Sequence, residues 1–349
     1  MPHRNIPIFI PHLGCPNQCV FCNQRSISGC REFHPDELES TVREALETIP
    51  GDCDVEIAFF GGSFTGIDRG MMLDLLERAE RFVKEGCVSS IRLSTRPDYI
   101  TPEILEILSR YSVKTVELGL QSMRNRVLNA SLRGHSAETA RRACRMVREA
   151  GFSLVGQMMI GLPASSLEDE LFTAEELCRI GVDAVRIYPT VVFYGTALCK
   201  MVEDGNYMPL TVSEAVRRSS SVLKLFLANG VPCIRIGLCA GEDFSSRDKV
   251  MAGPNQAALG EMVWNEIYYE KLLASLSAKG LLHRDVLLYL PERQISKYVG
   301  QHRCNLDKLR RETDTRIRKI VGKKKLDAPM PILWQRGASQ REEETYPCI

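Results

Sequence analysis

The chain is 349 residues long, 44% hydrophobic and 26% charged, with 45 Lys and Arg against 44 Asp and Glu. That length suggests about two domains and a core large enough to need no disulfide staples, and the composition excludes a disordered or collagen-like chain. The near-neutral balance excludes a global nucleic-acid signature, so any such signal has to be local.

Short segments rich in β-branched residues alternate with longer amphipathic ones. Strands are predicted over 5–11, 54–60, 90–95, 114–120, 154–160 and 184–190, with a seventh candidate over 231–238. Helices are predicted between them over 34–49, 70–86, 101–110, 136–150, 166–180 and 213–229. Thr101 before Pro102 reads as an N-cap, and Gly86, Gly151, Gly181 and Gly230 read as helix stops. Repeated strand–helix alternation implies parallel strands joined by right-handed crossovers. Six or seven such units fit a partial (β/α) barrel. A doubly wound open sheet is the competing arrangement, and pattern alone does not separate the two.

The alternation stops after residue 240. A helical extension is expected over 241–282, a small separate unit over 283–335 and a mobile polar tail over 336–349. No apolar run approaches the ~18 residues of a membrane span. The proline-broken N-terminus is too interrupted for a signal peptide. Thirteen cysteines, an odd number spread through apolar patterns, make a poor disulfide framework. A cytoplasmic, reducing location and no membrane partner are therefore expected.

In either arrangement the site lies at the carboxyl ends of the strands. There the sequence places Cys15, Cys19 and Cys22 in a C-x3-C-x2-C loop, followed by glycine-rich and polar loops. A structural zinc site wants four ligands, and so does a fully ligated four-iron cluster. Three thiolates suit a four-iron cluster with one iron open to substrate or cofactor. A zinc knuckle completed by Cys30, His12 or His34 is the alternative, and buried structural cysteines are a third reading.

These motifs, in this order, resemble the radical S-adenosylmethionine superfamily. Phe21 stands before the last cysteine, and Gly61-Gly62-Ser63-Phe64-Thr65 looks like the family's glycine loop after the second strand. Arg96-Pro97-Asp98, Gly119-Leu120-Gln121-Ser122, Arg133-Gly134-His135 and Gly161-Leu162-Pro163 extend the match over roughly residues 5–240. Within the superfamily the combination looks most like the radical domain of the Elongator catalytic subunit, with oxygen-independent coproporphyrinogen oxidase a near relative. The resemblance implies an α/β fold, a partial (β/α)6-type barrel. It also implies a [4Fe-4S] cluster on Cys15, Cys19 and Cys22, and S-adenosylmethionine as cofactor. One-electron reduction would cleave the sulfonium to a 5′-deoxyadenosyl radical that abstracts hydrogen from substrate. Cluster potentials span about −700 to +450 mV, and this cleavage needs the low end, so a flavodoxin- or ferredoxin-like donor is implied.

The resemblance also implies roles for single residues. Gly61 and Gly62 would let the backbone approach the cofactor, with Ser63 and Thr65 as hydroxyl partners of its amino group. Gln121 would bond the ribose or carboxylate, Arg133 would pair with the carboxylate, and Phe21 would lie against the adenine. Ser94 and Gln157 stand where the family often carries Glu and Asp, and would contact the cofactor without a charge. No catalytic residue is singled out.

Residues 290–320 resemble a KH domain core, in which helix, glycine loop, helix and strand follow in turn, within a small α+β C-terminal domain. Gly300 opens the loop, and Arg303 replaces its second glycine. Residues 303–325 carry ten Lys or Arg against three Asp or Glu. Arg303, Arg316, Arg318, Lys319, Lys323, Lys324 and Lys325 are the candidate phosphate contacts. The favoured substrate is RNA, with tRNA first as for the Elongator subunit, whose acetyltransferase domain is not expected in this chain. The alternatives are a radical enzyme acting on a small, porphyrinogen-like molecule, and a non-catalytic, zinc-stabilised RNA-binding protein.

Overall fold

The computed structural model describes residues 2–10, 13–15, 19–23, 33–238 and 249–334. The chain forms two compact units, Met1–Gly260 and Glu261–Ile349.

The first unit is built on a seven-stranded sheet. Its strands are β1 (His3–Ile10), β2 (Asp54–Gly61), β3 (Ser90–Thr95), β4 (Val113–Gln121), β5 (Ser153–Ile160), β6 (Ala184–Pro189) and β8 (Cys233–Ile236). They lie side by side in chain order, and every neighbouring pair is parallel. A doubly wound sheet would reverse its strand order at a switch point. This one does not reverse, so right-handed crossovers place the helices on one face and leave the other as an interior. The result is a curled partial barrel, and the seventh strand candidate is part of it.

The crossover helices are α1 (Leu38–Thr48), α2 (Arg69–Lys84), α3 (Pro102–Leu108), α4 (Asn125–Ala130), α5 (Ala137–Glu149), α6 (Leu167–Ile180), α7 (Ala197–Glu203) and α8 (Val212–Ala228). Their caps explain their limits. Thr101 accepts from the Ile104 amide at 3.2 Å, and Gly181 ends α6 in the left-handed region at φ 78°. α8 starts earlier than predicted, because Thr211 and Glu214 form a reciprocal capping box ahead of Ser213. α4, α7 and the antiparallel pair β7 (Val192–Phe193) and β9 (Val250–Ala252) have no counterpart in the predicted elements, being too short for a periodic signal.

The two faces of the sheet differ chemically. Ile6, Ile57, Leu93, Leu118, Leu154 and Ile187 share one parity and are fully buried under the helices. The opposite parity carries His3, Glu56, Arg92, Ser94, Glu117, Gln157 and Arg186. The concave face is therefore polar and charged.

In the second unit, α9 (Leu259–Ala278) precedes β10 (Asp285–Pro291), α10 (Ile295–Val299), α11 (Cys304–Thr313), β11 (Arg316–Lys323) and β12 (Met330–Leu333). β10 is central, parallel to β11 and antiparallel to β12. Tyr268, Leu272 and Leu276 of α9 pack with Val286, Leu288, Tyr298 and Leu309 in one core. The expected helix, loop, helix and strand are α10, residues 300–303, α11 and β11, but Leu290 lies in a strand that precedes them. Among the described residues no helix is long and apolar enough to cross a membrane.

Candidate functional site

The cysteine loop is seated on the loop that follows β2. The Gly62 amide donates to the Ile10 carbonyl at 2.7 Å, and the Ser63 amide donates to the Leu13 carbonyl at 3.0 Å. A Cβ on Gly62 would stand 2.0 Å from the Leu13 oxygen, and one on Gly14 would stand 2.1 Å from the Ser63 oxygen. Gly61 has φ +109°, which other residues rarely adopt. The space these glycines provide is thus taken by the entry to the cysteine loop. Their first role is chain-to-chain approach.

The loop's other end is stapled twice. The Val20 amide donates to the Ser131 carbonyl at 3.2 Å, and its carbonyl accepts from the Leu198 amide at 2.8 Å. Val20 joins Val192, Leu198 and Cys199 in a small core, with Phe21 packed against it. Gly14, Leu13 and these anchors carry no motif of their own, so sequence reasoning has no purchase on them.

Cys15 and Cys19 share one charged environment. Burial pushes the Cys15 thiol up, while Arg96, Arg133 and the Ser63 backbone oppose that rise. Arg133 Nη1 lies 3.1 Å from Cys19 Sγ, and Arg96 Nη1 lies 3.9 Å from it. The Cys22 amide donates to the Cys19 carbonyl at 2.9 Å. Among the described residues no three Cys, His, Asp or Glu side chains converge as a metal site, so the three sulfurs share a loop without ligand geometry. His12 and Cys30, two of the candidates for a fourth zinc ligand, lie outside the described residues.

The donor set still fits an iron–sulfur cluster. The Cys15 and Cys19 thiols sit beside two buried guanidinium groups, Arg96 and Arg133, that would offset the negative charge of thiolates. Nearby, Gln121 Oε1, Arg133 Nε and His135 Nε2 are buried polar atoms that find no hydrogen-bond partner among the described residues. Buried polar atoms are normally paired, so these three are free to hydrogen-bond a polar cofactor at this end of the sheet.

The hydroxyls behave differently. Ser63 Oγ and Thr65 Oγ1 each lie 2.7 Å from Thr95 Oγ1, and Ser63 Oγ also accepts from the Arg96 amide at 3.2 Å. They tie the glycine loop to the Arg-Pro-Asp turn. Gln121 sits at φ +64°, beside a register shift between β4 and β5. Its amide closes on Gly119, where a Cβ would stand 3.1 Å from Gln121 Nε2. Arg133 already donates through Nη2 to the Gly119 carbonyl at 2.6 Å, so Nε is its one unpartnered nitrogen.

Deeper in the concave face, Ser94 and Gln157 meet. Gln157 Nε2 donates to Ser94 Oγ at 3.2 Å and to Glu117 Oε2 at 2.9 Å. Glu117 also accepts from Arg92 at 2.8 Å and from Arg186 at 2.8 Å and 3.1 Å. Arg92 continues to Glu56 at 2.8 Å, and Glu56 to His3 at 2.8 Å. Burial alone would raise the Glu117 carboxyl, but Arg186 and Arg92 outweigh it and hold it below the usual range. Glu117 thus supplies a carboxylate beside the two positions where the family often carries an acid and this chain does not. Charged residues inside Thr-Val-Glu-Leu, Ser-Ile-Arg-Leu and Ala-Val-Arg-Ile were the available signal.

In the second unit, Gly300 has φ +76°, and a Cβ there would meet Cys304 Sγ at 2.5 Å. Arg303 is exposed and keeps a left-handed backbone at φ +65°. Arg316, Arg318 and Lys319 are exposed on β11, and Lys324 and Lys325 in the turn beyond it. Lys323 is half-buried, 5.4 Å from the Tyr289 ring centre.

Comparisons with known proteins bear on the family and the fold. The family model of the radical SAM superfamily matches residues 9–177, and that of its C-terminal domain matches residues 182–269. An uncharacterized protein of Methanocaldococcus jannaschii is 29% identical over 225 residues, which are 60% of this chain and 68% of that protein. A tRNA uridine(34) acetyltransferase of Methanocaldococcus infernus is 31% identical over 205 residues, 56% of this chain and 36% of the acetyltransferase. The archaeal Elp3 of Methanocaldococcus infernus, with an N-terminal deletion, superposes with a TM-score of 0.59 at 22% identity. That match covers 81% of this chain and 66% of the archaeal one, and it shows the fold. The chain thus spans about a third of the acetyltransferase. With both models on consecutive stretches of one parallel half-barrel, the chain belongs to the radical SAM superfamily, whose enzymes use a [4Fe-4S] cluster and S-adenosylmethionine.

Proposed function

We propose that this radical SAM enzyme modifies RNA, with tRNA the favoured substrate, and that Cys15, Cys19 and Cys22 hold its cluster. The observation that carries the cofactor half is the set of orphaned buried atoms, Gln121 Oε1, Arg133 Nε and His135 Nε2, beside the cysteine loop. When bound, the cluster and S-adenosylmethionine together supply a 5′-deoxyadenosyl radical able to abstract hydrogen from carbon. The chain's own residues do the rest. Gln121, at the end of β4, offers an acceptor to a hydroxyl or amino group. Arg133 offers its Nε–H to a carboxylate. Ser94 and Gln157, neutral but tethered to Glu117, form the polar floor of the concave face. Phe21 is packed against the Val20 core, next to Cys22.

Support for RNA comes from the exposed basic strand β11 and its following turn, and from the likeness to a tRNA uridine(34) acetyltransferase. The low-potential donor is proposed to be a flavodoxin- or ferredoxin-class protein.

The test is EPR of the anaerobically reconstituted, reduced protein with and without S-adenosylmethionine, followed by tRNA binding across ionic strength. A four-iron signal that changes with the cofactor is expected, together with a steep salt slope. Zinc without acid-labile sulfide would sink the radical reading. Weak, salt-insensitive RNA binding with turnover of a small molecule would move the substrate to the porphyrinogen-like class.

A further inference from the structure

Arg133 is a buried cation in an unusual position. It is 6% exposed, and among the described residues it makes no ion pair with a carboxylate. Its two terminal nitrogens go to Cys19 Sγ at 3.1 Å and to the Gly119 carbonyl at 2.6 Å. Arg96, 3% exposed, stands on the same sulfur at 3.9 Å. Arg96 is held there by Asp98 at 2.8 Å and by the Arg133 carbonyl at 2.5 Å. Cys19 itself is 7% exposed. A guanidinium this deep requires an anion, and the sulfur is the nearest candidate. Cys19 is thus the sulfur on which both guanidinium groups converge.

We propose that Arg133, braced by Arg96, tunes the cluster held through Cys19 toward its reduced state. Hydrogen bonds to cluster sulfurs and the net charge around a cluster set its potential. Reduction adds one electron, delivered by a low-potential flavodoxin- or ferredoxin-class protein, and makes the cluster more negative. A fixed positive charge on one ligand sulfur stabilises that form and raises the midpoint. Both arginines are positioning residues acting through Cys19. The inference rests on the reading of Cys19 as a cluster ligand. It assigns Arg133 a task that precedes any contact with S-adenosylmethionine.

The experiment is an EPR-monitored redox titration of the reconstituted protein without S-adenosylmethionine, on wild type, Arg133→Gln and Arg133→Lys, after iron and sulfide have been counted. Arg133→Gln removes the charge and is expected to lower the reduced-to-oxidised ratio at fixed potential at least tenfold. That equals a downward shift of about 59 mV for a one-electron couple. Arg133→Lys keeps the charge and is expected to recover most of it. A fully loaded Arg133→Gln cluster with the wild-type midpoint would overturn the inference. Should Arg133→Gln fail to load, resonance Raman of wild type in H2O and D2O decides. Fe–S(Cys) bands that shift on exchange support a hydrogen-bonded sulfur, and unshifted bands overturn it. Wild type without any four-iron cluster would instead defeat the ligand assignment.

Discussion

Burial, helped by the neighbouring Arg133 guanidinium, pushes the His135 imidazole down to about 4. The ordinary value in the unfolded chain is about 6.5. Between those values the unfolded chain binds a proton that the folded chain refuses. Stability is therefore fully present above about pH 6.5 and is lost as pH falls through that window. At about 1.36 kcal/mol per unit the loss is on the order of 3 kcal/mol. Urea unfolding from pH 7 to 4.5 should show this slope in wild type and a flatter one in His135→Gln. Parallel profiles would refute the assignment. Gly62 makes a second residue-scale test. An added methyl would run into the Leu13 carbonyl at 2.0 Å, and backbone cannot rotate away as a side chain can. Gly62→Ala should keep its circular dichroism and lose most iron after reconstitution, because the cysteine loop is displaced from its seat. Full iron content in that variant would show that the loop finds another seat.

The strands carry the charge network, and there one element decides the fate of several. Glu117 sits on β4 between Arg92 on β3 and Arg186 on β6, with Gln157 of β5 alongside. Removing one partner of a buried pair costs about 3–5 kcal/mol, because a charge is left uncompensated. Glu117→Gln should lose about that much, and adding Arg186→Met should return part of it. A double-mutant cycle by denaturant unfolding measures the coupling, and strict additivity would argue against the pairing. This network also marks the limit of what the sequence discloses. The strand–helix alternation, the cysteine spacing and the glycine loop were all legible, because each is a local pattern with a local cause. The convergence of Ser94, Gln157 and Glu117 was not, since it depends on register across three strands. Nor was the packing of Leu13 on Gly62 or of Val20 on α7, which joins segments far apart in the chain. Likewise, the fold class was settled by strand order, which periodicity does not encode.

At the scale of the whole molecule, the proposed chemistry and the proposed nucleic-acid contact fall in different units. The net charge of +1 gives no long-range pull, so any attraction for RNA has to come from a local patch, and the dense basic run that includes β11 and the turn beyond it is the candidate. Arg316 and Arg318 are partly committed, to Asp314 at 3.4 Å and Asp285 at 2.9 Å. Exposed ion pairs of this kind are weak and can exchange for phosphate. Lys319, Lys324 and Lys325 are exposed, and among the described residues none of them pairs with an acid. Neutralising these three to Gln should weaken tRNA binding and flatten its dependence on salt. The slope should fall by about 0.7–0.9 for each phosphate that is no longer neutralised. The same variant should keep its iron, its sulfide and its response to S-adenosylmethionine, because none of the three lies in the unit that holds the cysteines. Unchanged affinity and slope would remove the second unit from RNA recognition and leave the concave face of the barrel as the place to look.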